Sequence, residues 1–286
     1  MKEKQAKLWV VATPIGNIED LSPRAKHILE SVDYILAEDT RNTIKLFKLC
    51  NIKGKKFISF HDHNETLRLT KILDLLRDGS EIALVSDAGT PVLSDPGFRL
   101  IQICHKEKIP VSPVPGPSAP ICALSACGIA PLPHTFLGFL PRSIGDKEKL
   151  FKTFANINTT LIFFERKDRL KESLNIAYKE LKSRDIAICR ELTKKHEQFI
   201  ISKLEDFESI SDSILGEITV VIGPAINKTK TTKKEIESLI LDKLKLNMKS
   251  HELADIIYSE YNGTFGYKGS DLDRVDLIYF PTGGGK

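Results

Sequence analysis

No two cysteines of this chain stand in a CxxC pair. The five present (50, 104, 122, 127 and 189) are odd in number and scattered. Neither a disulfide framework nor a thiolate zinc site is expected, and a reducing cytoplasm is the compartment that fits. Long apolar runs are also missing. Nothing approaches the roughly 18 consecutive apolar residues of a membrane-spanning helix. The run behind the lysine-rich start, Leu8 to Ala12, is too short for a secretory leader. Strong net charge is missing too, at +4. No internal repeat is present. What remains is 286 residues, 41% of them hydrophobic, enough for one large domain or two modest ones.

The mild charge is unevenly placed. Residues 228–249 hold seven lysines against three acids, an excess that equals the whole net charge. Such a segment reads as a solvated helix face or as a phosphate-tracking patch, and charge alone does not separate them.

The chain is organised around Ile82-Ala83-Leu84-Val85-Ser86-Asp87-Ala88-Gly89-Thr90-Pro91, running on to Ser94-Asp95-Pro96-Gly97. Four apolar residues stop at two polar ones, as in a strand buried on both faces of a parallel sheet. The loop beyond it is rich in Gly and Pro, and open α/β sheets place ligands beyond the carboxyl ends of their strands. Two more strands end similarly. Leu8–Ala12 runs into Thr13-Pro14-Ile15-Gly16-Asn17, and Asp33–Ala37 into Glu38-Asp39-Thr40-Arg41-Asn42-Thr43. The first turn holds one glycine and is not a G-x-G-x-x-G fingerprint. Asp39 or Thr40 reads either as a helix cap, with the helix proper from Ile44, or as a cleft residue alongside Arg41 and Asp87.

Lys56–Phe60 is expected to be a third strand, followed by His61-Asp62-His63. A substrate-contacting loop, or a cap for the next helix, is favoured there over a metal site. Pro110–Val114 reads as a proline-broken edge strand, followed by Pro115-Gly116-Pro117-Ser118-Ala119-Pro120 and an apolar helix. Strand and helix alternate throughout this half, which predicts a mostly parallel sheet. The second half has too many strands for a simple βαβ repeat and predicts a mixed sheet, with a short helix near 207–214. Boundaries are expected at 1–120, 121–225, a basic helical extension over 226–262 with helices at 234–246 and 250–258, and a tail over 263–286. The terminal Pro281-Thr282-Gly283-Gly284-Gly285-Lys286 imitates a phosphate loop but lacks the Ser or Thr that must follow the lysine.

Taken in order, Val11–Asn17, Ala37–Arg41, Ser86–Pro91, Ser94–Gly97 and Pro115–Ala119 resemble one family. It is the ribosomal RNA small-subunit methyltransferase I family, within the tetrapyrrole-methylase superfamily. Gly138-Phe139-Leu140-Pro141-Arg142 and Arg190-Glu191-Leu192-Thr193-Lys194 agree with it. Relatives carry Tyr-Glu-Ser-Pro-His-Arg where this chain has Phe164-Glu165-Arg166-Lys167-Asp168-Arg169, so the Pro-His pair is replaced.

The resemblance implies a two-domain α/β methyltransferase of class III, with S-adenosylmethionine (SAM) in the inter-domain cleft. It implies 2′-O-methylation of a cytidine ribose in the decoding region of small-subunit (16S) ribosomal RNA. A homodimer without membrane attachment, acting on RNA or on the assembled small subunit, is also implied. No metal is required for such a transfer. On this basis Pro14, Gly16, Asp87, Ala88, Gly89, Ser118, Ala119 and Gly138 are expected to hold the cofactor. Asp39, Arg41, Glu191 and Lys194 are expected at the chemistry, with a carboxylate or a neutral lysine as base. Glu191 and Lys194 also read as a surface ion pair. Arg41, His61, His63, Arg142 and Arg166 are expected to meet RNA. The rivals are another superfamily methyltransferase acting on a tetrapyrrole or a protein, and a non-catalytic RNA-binding relative.

Overall fold

The computed structural model describes residues 6–210 and 214–225, all within one compact unit that ends at Ala225. The lysine-rich patch, the helices expected at 234–246 and 250–258 and the glycine-rich tail lie outside the described residues. Strands β1 (Lys7–Val11), β2 (Tyr34–Ala37), β3 (Lys56–Ser59), β4 (Glu81–Val85) and β5 (Val111–Val114) form the first sheet. Their order is β3-β2-β4-β1-β5, and every pair is parallel. β4 sits at the centre, and Ile82 to Val85 are at most 1% exposed. An apolar side chain buried there contributes about 1.5–3 kcal/mol. β5 is an edge strand, where Pro113 costs least because it has no N–H to donate.

Helices α1 (Pro23–Ser31) and α2 (Thr40–Leu49) cover one face of this sheet, through Leu29 and Phe47 among others. Helices α3 (Glu65–Arg77) and α4 (Phe98–Lys106) cover the other, through Ile72, Leu76, Leu100 and Cys104. Ser22 caps α1, its Oγ accepting from Ala25 N at 3.0 Å, ahead of Pro23 at the first helical position. α2 starts four residues before the expected Ile44. Asp39 is its cap and accepts the Arg41 N–H at 2.8 Å, so the polar run Thr40–Thr43 is its first turn and not a loop.

The second sheet contains β6 (His134–Phe139), β7 (Thr160–Glu165), β8 (Asp185–Arg190), β9 (Gln198–Lys203) and β10 (Ile218–Ile222). The order is β6-β7-β10-β8-β9, with β6 and β7 parallel and the other pairs antiparallel, which is a mixed sheet. α6 (Ile144–Thr153), α7 (Leu170–Leu181) and a 3-10 segment, Leu204–Ser209, pack on one face. That 3-10 segment stands where a helix over 207–214 was expected. α5 (Ala119–Ala126) packs on the other face, with Ala123 and Leu124 against Ile162, Ala187 and Val221. The border expected at residue 120 therefore falls inside α5, which belongs with the second sheet by its packing.

Arg184 organises the far end of this half. Its side chain is fully buried and donates to the carbonyls of Leu181, Gly223, Phe154 and Ala155 at 2.9–3.4 Å. Leu181 ends α7 and Phe154 caps α6, so one guanidinium satisfies helix-end carbonyls that would otherwise be orphaned. Burial pulls its pKa down. All five cysteines are free thiols, and burial pushes Cys104 and Cys189 up to about 11 and about 12. Among the described residues no helix is long and apolar enough to cross a membrane.

Candidate functional site

The loops after β1, β2, β4 and β5 converge beyond the carboxyl end of the first sheet. With residues from β6, β7 and β10 they enclose a cavity of about 440 Å³. Its wall is apolar at Ile15, Ala88, Ala119, Pro120, Phe139, Phe164 and Ile218, and acidic at Glu38, Asp87, Asp95, Glu165 and Glu217.

Backbone holds this wall together. Thr13 and Gly89 exchange N–H···O bonds of 2.9 and 3.0 Å, which tie the β1 loop to the β4 loop. Thr90 Oγ1 donates to Pro117 O at 3.0 Å and adds the β5 loop. Gly89 has φ +82, which favours glycine, and a Cβ there would lie 3.2 Å from Ile15 Cγ2, so that side chain would have to give by a few tenths of an ångström. Further along, Val92 (φ 76) and Ser94 (φ 73) occupy the left-handed region. For a β-branched residue such as Val92 that costs on the order of 1–3 kcal/mol, which the surrounding loop must offset.

The acids divide by environment. Asp39 is half-buried and clasped by Arg41, Nη2 to Oδ2 at 2.7 Å, which holds its pKa down to about 2. Asp87 accepts Asp39 N at 3.0 Å and Asn42 Nδ2 at 2.7 Å. Glu38 and Asp95 go the other way. Burial, then the negative charge of Asp87, raises Glu38. Burial, then the charge of Glu38, raises Asp95 to about 6. Neither was singled out by sequence, although both lie in the quoted motifs. Their shift comes from loops 50 residues apart meeting in one place, and no local pattern reports that.

A second turn lies behind Glu217 of the cavity wall, and Glu191 and Lys194 on it do not themselves line the cavity. Glu191 (φ 51) and Thr193 (φ 65) bend the chain sharply after β8. Glu191 Oε1 accepts from Glu217 N at 2.9 Å and from Lys194 Nζ at 3.0 Å, and both bonds lower its pKa. Lys194 also lies 3.1 Å from Glu217. Burial works against its charge, but the bonds to Glu191 and Glu217 outweigh it and its pKa rises. Lys194 is therefore a cation at neutral pH, which removes the neutral-lysine base from consideration. Gly16 packs on this turn: a Cβ there would come within 2.3 Å of Lys194 Cγ. Asn17 N donates to Thr193 Oγ1 at 3.1 Å beside it.

Asp87, Ala88, Gly89, Ser118 and Ala119 line the cavity, whereas Pro14, Gly16 and Gly138 do not. In the first turn it is Ile15, between Pro14 and Gly16, that reaches the wall. Gly138 acts through its neighbour. β6 and β7 pair Phe136 with Ile162 and Phe139 with Phe164, so three steps on β6 match two on β7. This is a β-bulge, made at Gly138 with φ +66. The extra residue puts Phe139 on the same face as Phe136, and both rings pack on Phe164 at 5.2 and 5.1 Å. Phe139 was not expected at the site.

Glu165 is buried and accepts from Ser173 Oγ at 2.5 Å and from Arg166 N at 2.9 Å, with Arg169 Nε 3.4 Å away. Arg169 in turn donates to the carbonyls of Leu140 and Pro141. The two residues shared with the Tyr-Glu-Ser-Pro-His-Arg run thus hold this turn; Arg166, Lys167 and Asp168 are exposed, and Phe164, in place of the Tyr, lines the cavity. Arg142 and Arg166 line a second, open hollow. Arg41 is 85% exposed, and neither it nor Asp39 lines the cavity. β3 stops at Ser59, so the strand does not continue into His61 and His63. Their rings meet edge to face at 6.0 Å. Among the described residues no group of three His, Cys, Asp or Glu is placed to hold a metal ion.

The family model of the tetrapyrrole (corrin/porphyrin) methylases matches residues 7–208. Proteins named ribosomal RNA small subunit methyltransferase I are 43% identical to this chain in Hydrogenobaculum sp. (strain Y04AAS1) and in Thermotoga maritima. Each alignment covers 76% of this chain and, respectively, 95% and 98% of the relative. The chain belongs to the ribosomal RNA small subunit methyltransferase I family of tetrapyrrole methylases. The crystal structure of uroporphyrin-III-C-methyltransferase from Thermus thermophilus superposes with a TM-score of 0.55. It shares 18% identity over 76% of this chain and 94% of that one, a likeness of fold. The two-sheet α/β architecture is accordingly that of the class III methyltransferases, and the cofactor of the family is SAM.

The cavity suits such a cofactor. It offers apolar wall for a purine, and its glycine backbone at Gly89 leaves no side chain in the way. Its clustered carboxylates, two of them with raised pKa values, would be relieved by a cation.

Proposed function

We propose that this protein methylates small-subunit ribosomal RNA, transferring a methyl group from SAM bound in the acidic cavity to the 2′-hydroxyl of a cytidine in the decoding region. The observation that carries the reading is the 43% identity, over nearly the whole of two relatives, to proteins named for this RNA, with the shared loops forming the cavity wall. The ribose oxygen and the nucleotide rest on the family resemblance.

SAM supplies a methyl group on a sulfonium, so alignment of the acceptor is the protein's main task. Asp87 and Glu38 hold the cationic end of the cofactor; Ile15, Ala88, Gly89, Ser118 and Ala119 supply the fitted wall. The hydroxyl proton needs an acceptor. Asp39 and Glu191 have lowered pKa values and are poor bases. Asp95, at about 6, is ionised at neutral pH yet basic enough to take that proton at a carboxylate oxygen. Arg41, tethered to Asp39, holds an RNA phosphate. Lys194 keeps Glu191 and Glu217 in place at the rim. A homodimer is the assembly the family implies, and sedimentation of the purified protein tests it.

The deciding experiment is transfer of labelled methyl from SAM to small ribosomal subunits that lack their own 2′-O-methyl marks, followed by nuclease mapping. Label on one cytidine ribose, lost in Asp87→Ala, is expected. Label on a base, or on none of the RNA while a tetrapyrrole is labelled, would overturn the reading.

A further inference from the structure

The acidic cavity shares two residues, Phe139 and Arg166, with a second hollow of about 540 Å³ that opens beside it. Arg142 and Arg169 also line that hollow. Asp168 and Glu172 line the hollow as well, so three guanidinium groups stand against two carboxylates there, a net basic lining beside the acidic cavity.

Phe139 is 60% exposed at the end of β6, an edge strand. It is fixed nonetheless. The bulge at Gly138 turns it, and the Phe164 ring backs it at 5.2 Å. A rigid, exposed aromatic face is a stacking platform for a base, and stacking on such a face is tolerant of base identity. The cations differ in availability. Arg169 is committed to Glu165 and to two backbone carbonyls. Arg166 is 67% exposed and uses only Nε on Asp168, which leaves the planar end of its guanidinium open. Arg142 is exposed and has no hydrogen-bond or ion-pair partner among the described residues. Two open guanidinium groups beside an exposed ring have the chemistry of a nucleotide site: phosphate for the arginines, base for the ring.

We propose that this hollow is the subsite for a single-stranded nucleotide next to the methylated one, with its base stacked on Phe139 and its phosphate held by Arg142 and Arg166. The inference rests on the reading of the protein as an RNA methyltransferase and adds where the RNA strand runs. It enters from the second half, past α6, and Phe139 separates its path from the cofactor.

The test uses the full chain, labelled SAM and unmarked small ribosomal subunits. Phe139→Ala and Arg142→Ala are each expected to raise KM for subunits about tenfold. Phe139→Trp restores the wild-type value, because it keeps a stacking face. In Arg142→Ala the salt dependence of log KM loses about 0.7 of slope, one phosphate contact on a single strand. Calorimetric affinity for SAM is unchanged in Arg142→Ala, since this residue does not line the acidic cavity; the same titration verifies that the variant is folded. Wild-type KM in both alanine variants would overturn the subsite while leaving the methyltransferase reading intact. No transfer to subunits by the wild-type protein, despite SAM binding, would overturn that reading and the subsite with it.

Discussion

The carboxylate of Asp87 accepts the backbone N–H of Asp39 at 3.0 Å, across the ends of β4 and β2. Asn42 adds a second bond to the same carboxylate at 2.7 Å. The loop that begins the acidic cavity is thereby fastened to the first turn of α2, and Arg41 is carried on that turn. Asp87→Asn keeps an acceptor for Asp39 N but removes the charge. It is expected to weaken SAM binding about tenfold, the worth of one charge-assisted bond. Asp87→Ala, which also frees the Asp39 N–H, is expected to lose more. Titration calorimetry of the two variants separates charge from tethering; equal affinities for both would mean tethering contributes nothing.

Asp95 makes stability and function pull in opposite directions. Its pKa rises from an ordinary 3.8 to about 6 in the folded protein. The folded chain therefore keeps a proton that the unfolded chain releases in that interval. The stabilising contribution of this group is complete below pH 3.8 and is lost as pH rises to about 6. Asp95→Asn is expected to melt higher than wild type near neutral pH, with the advantage vanishing in acid. Methyl transfer is expected to fall in the same variant, and wild-type transfer to rise with pH through about 6. Melting curves at several pH values and a pH–rate profile check both halves.

Arg184 is a structural cation without a carboxylate partner among the bonds it makes. Arg184→Leu leaves carbonyls at two helix ends and beyond β10 without their donor, each costing about 1–3 kcal/mol. A loss of about 3 kcal/mol or more is expected in denaturant unfolding, far above that of an ordinary surface substitution. Methyl transfer by the fraction that stays folded is expected to be normal, because Arg184 does not line the cavity.

Gly16→Ala tests the contact between the β1 loop and the Glu191–Lys194 turn. The added methyl would overlap the Lys194 stem, so the turn must shift. A destabilisation of about 1–3 kcal/mol is expected, together with weaker SAM binding. Lys194→Ala combined with Gly16→Ala should recover part of the lost stability, and a double-mutant cycle measures how much.

Much of this arrangement was legible before any coordinates. Runs such as Ile82–Val85 and, Thr219 apart, Ile218–Ile222 are apolar because both faces of their sheets are covered, and turn residues bound them sharply. Ser22-Pro23 marked the start of α1 through local chemistry alone. The start of α2 was misplaced because its first turn is polar, and only the bond from Arg41 N to Asp39 distinguishes a capped helix from a loop. Asp87, Ala88 and Gly89 were found because strand ends are where ligands bind. Glu38 and Asp95 were not, because their raised pKa values come first from burial and then from charges on other loops, Asp87 beside Glu38 and Glu38 beside Asp95. Phe139 was hidden for a different reason: its orientation depends on the pairing register with β7, which a single strand does not carry.

That register has an evolutionary consequence. Between Phe136 and Phe139 the number of residues matters more than their identity. Losing Leu137 would barely change the composition of β6. It would restore regular pairing with Phe139 still opposite Phe164, but the local bend and twist that the bulge puts beneath the ring would be lost. Length in this short interval behaves as a heritable setting, so single-residue deletions here should be far less tolerated than substitutions at the same positions.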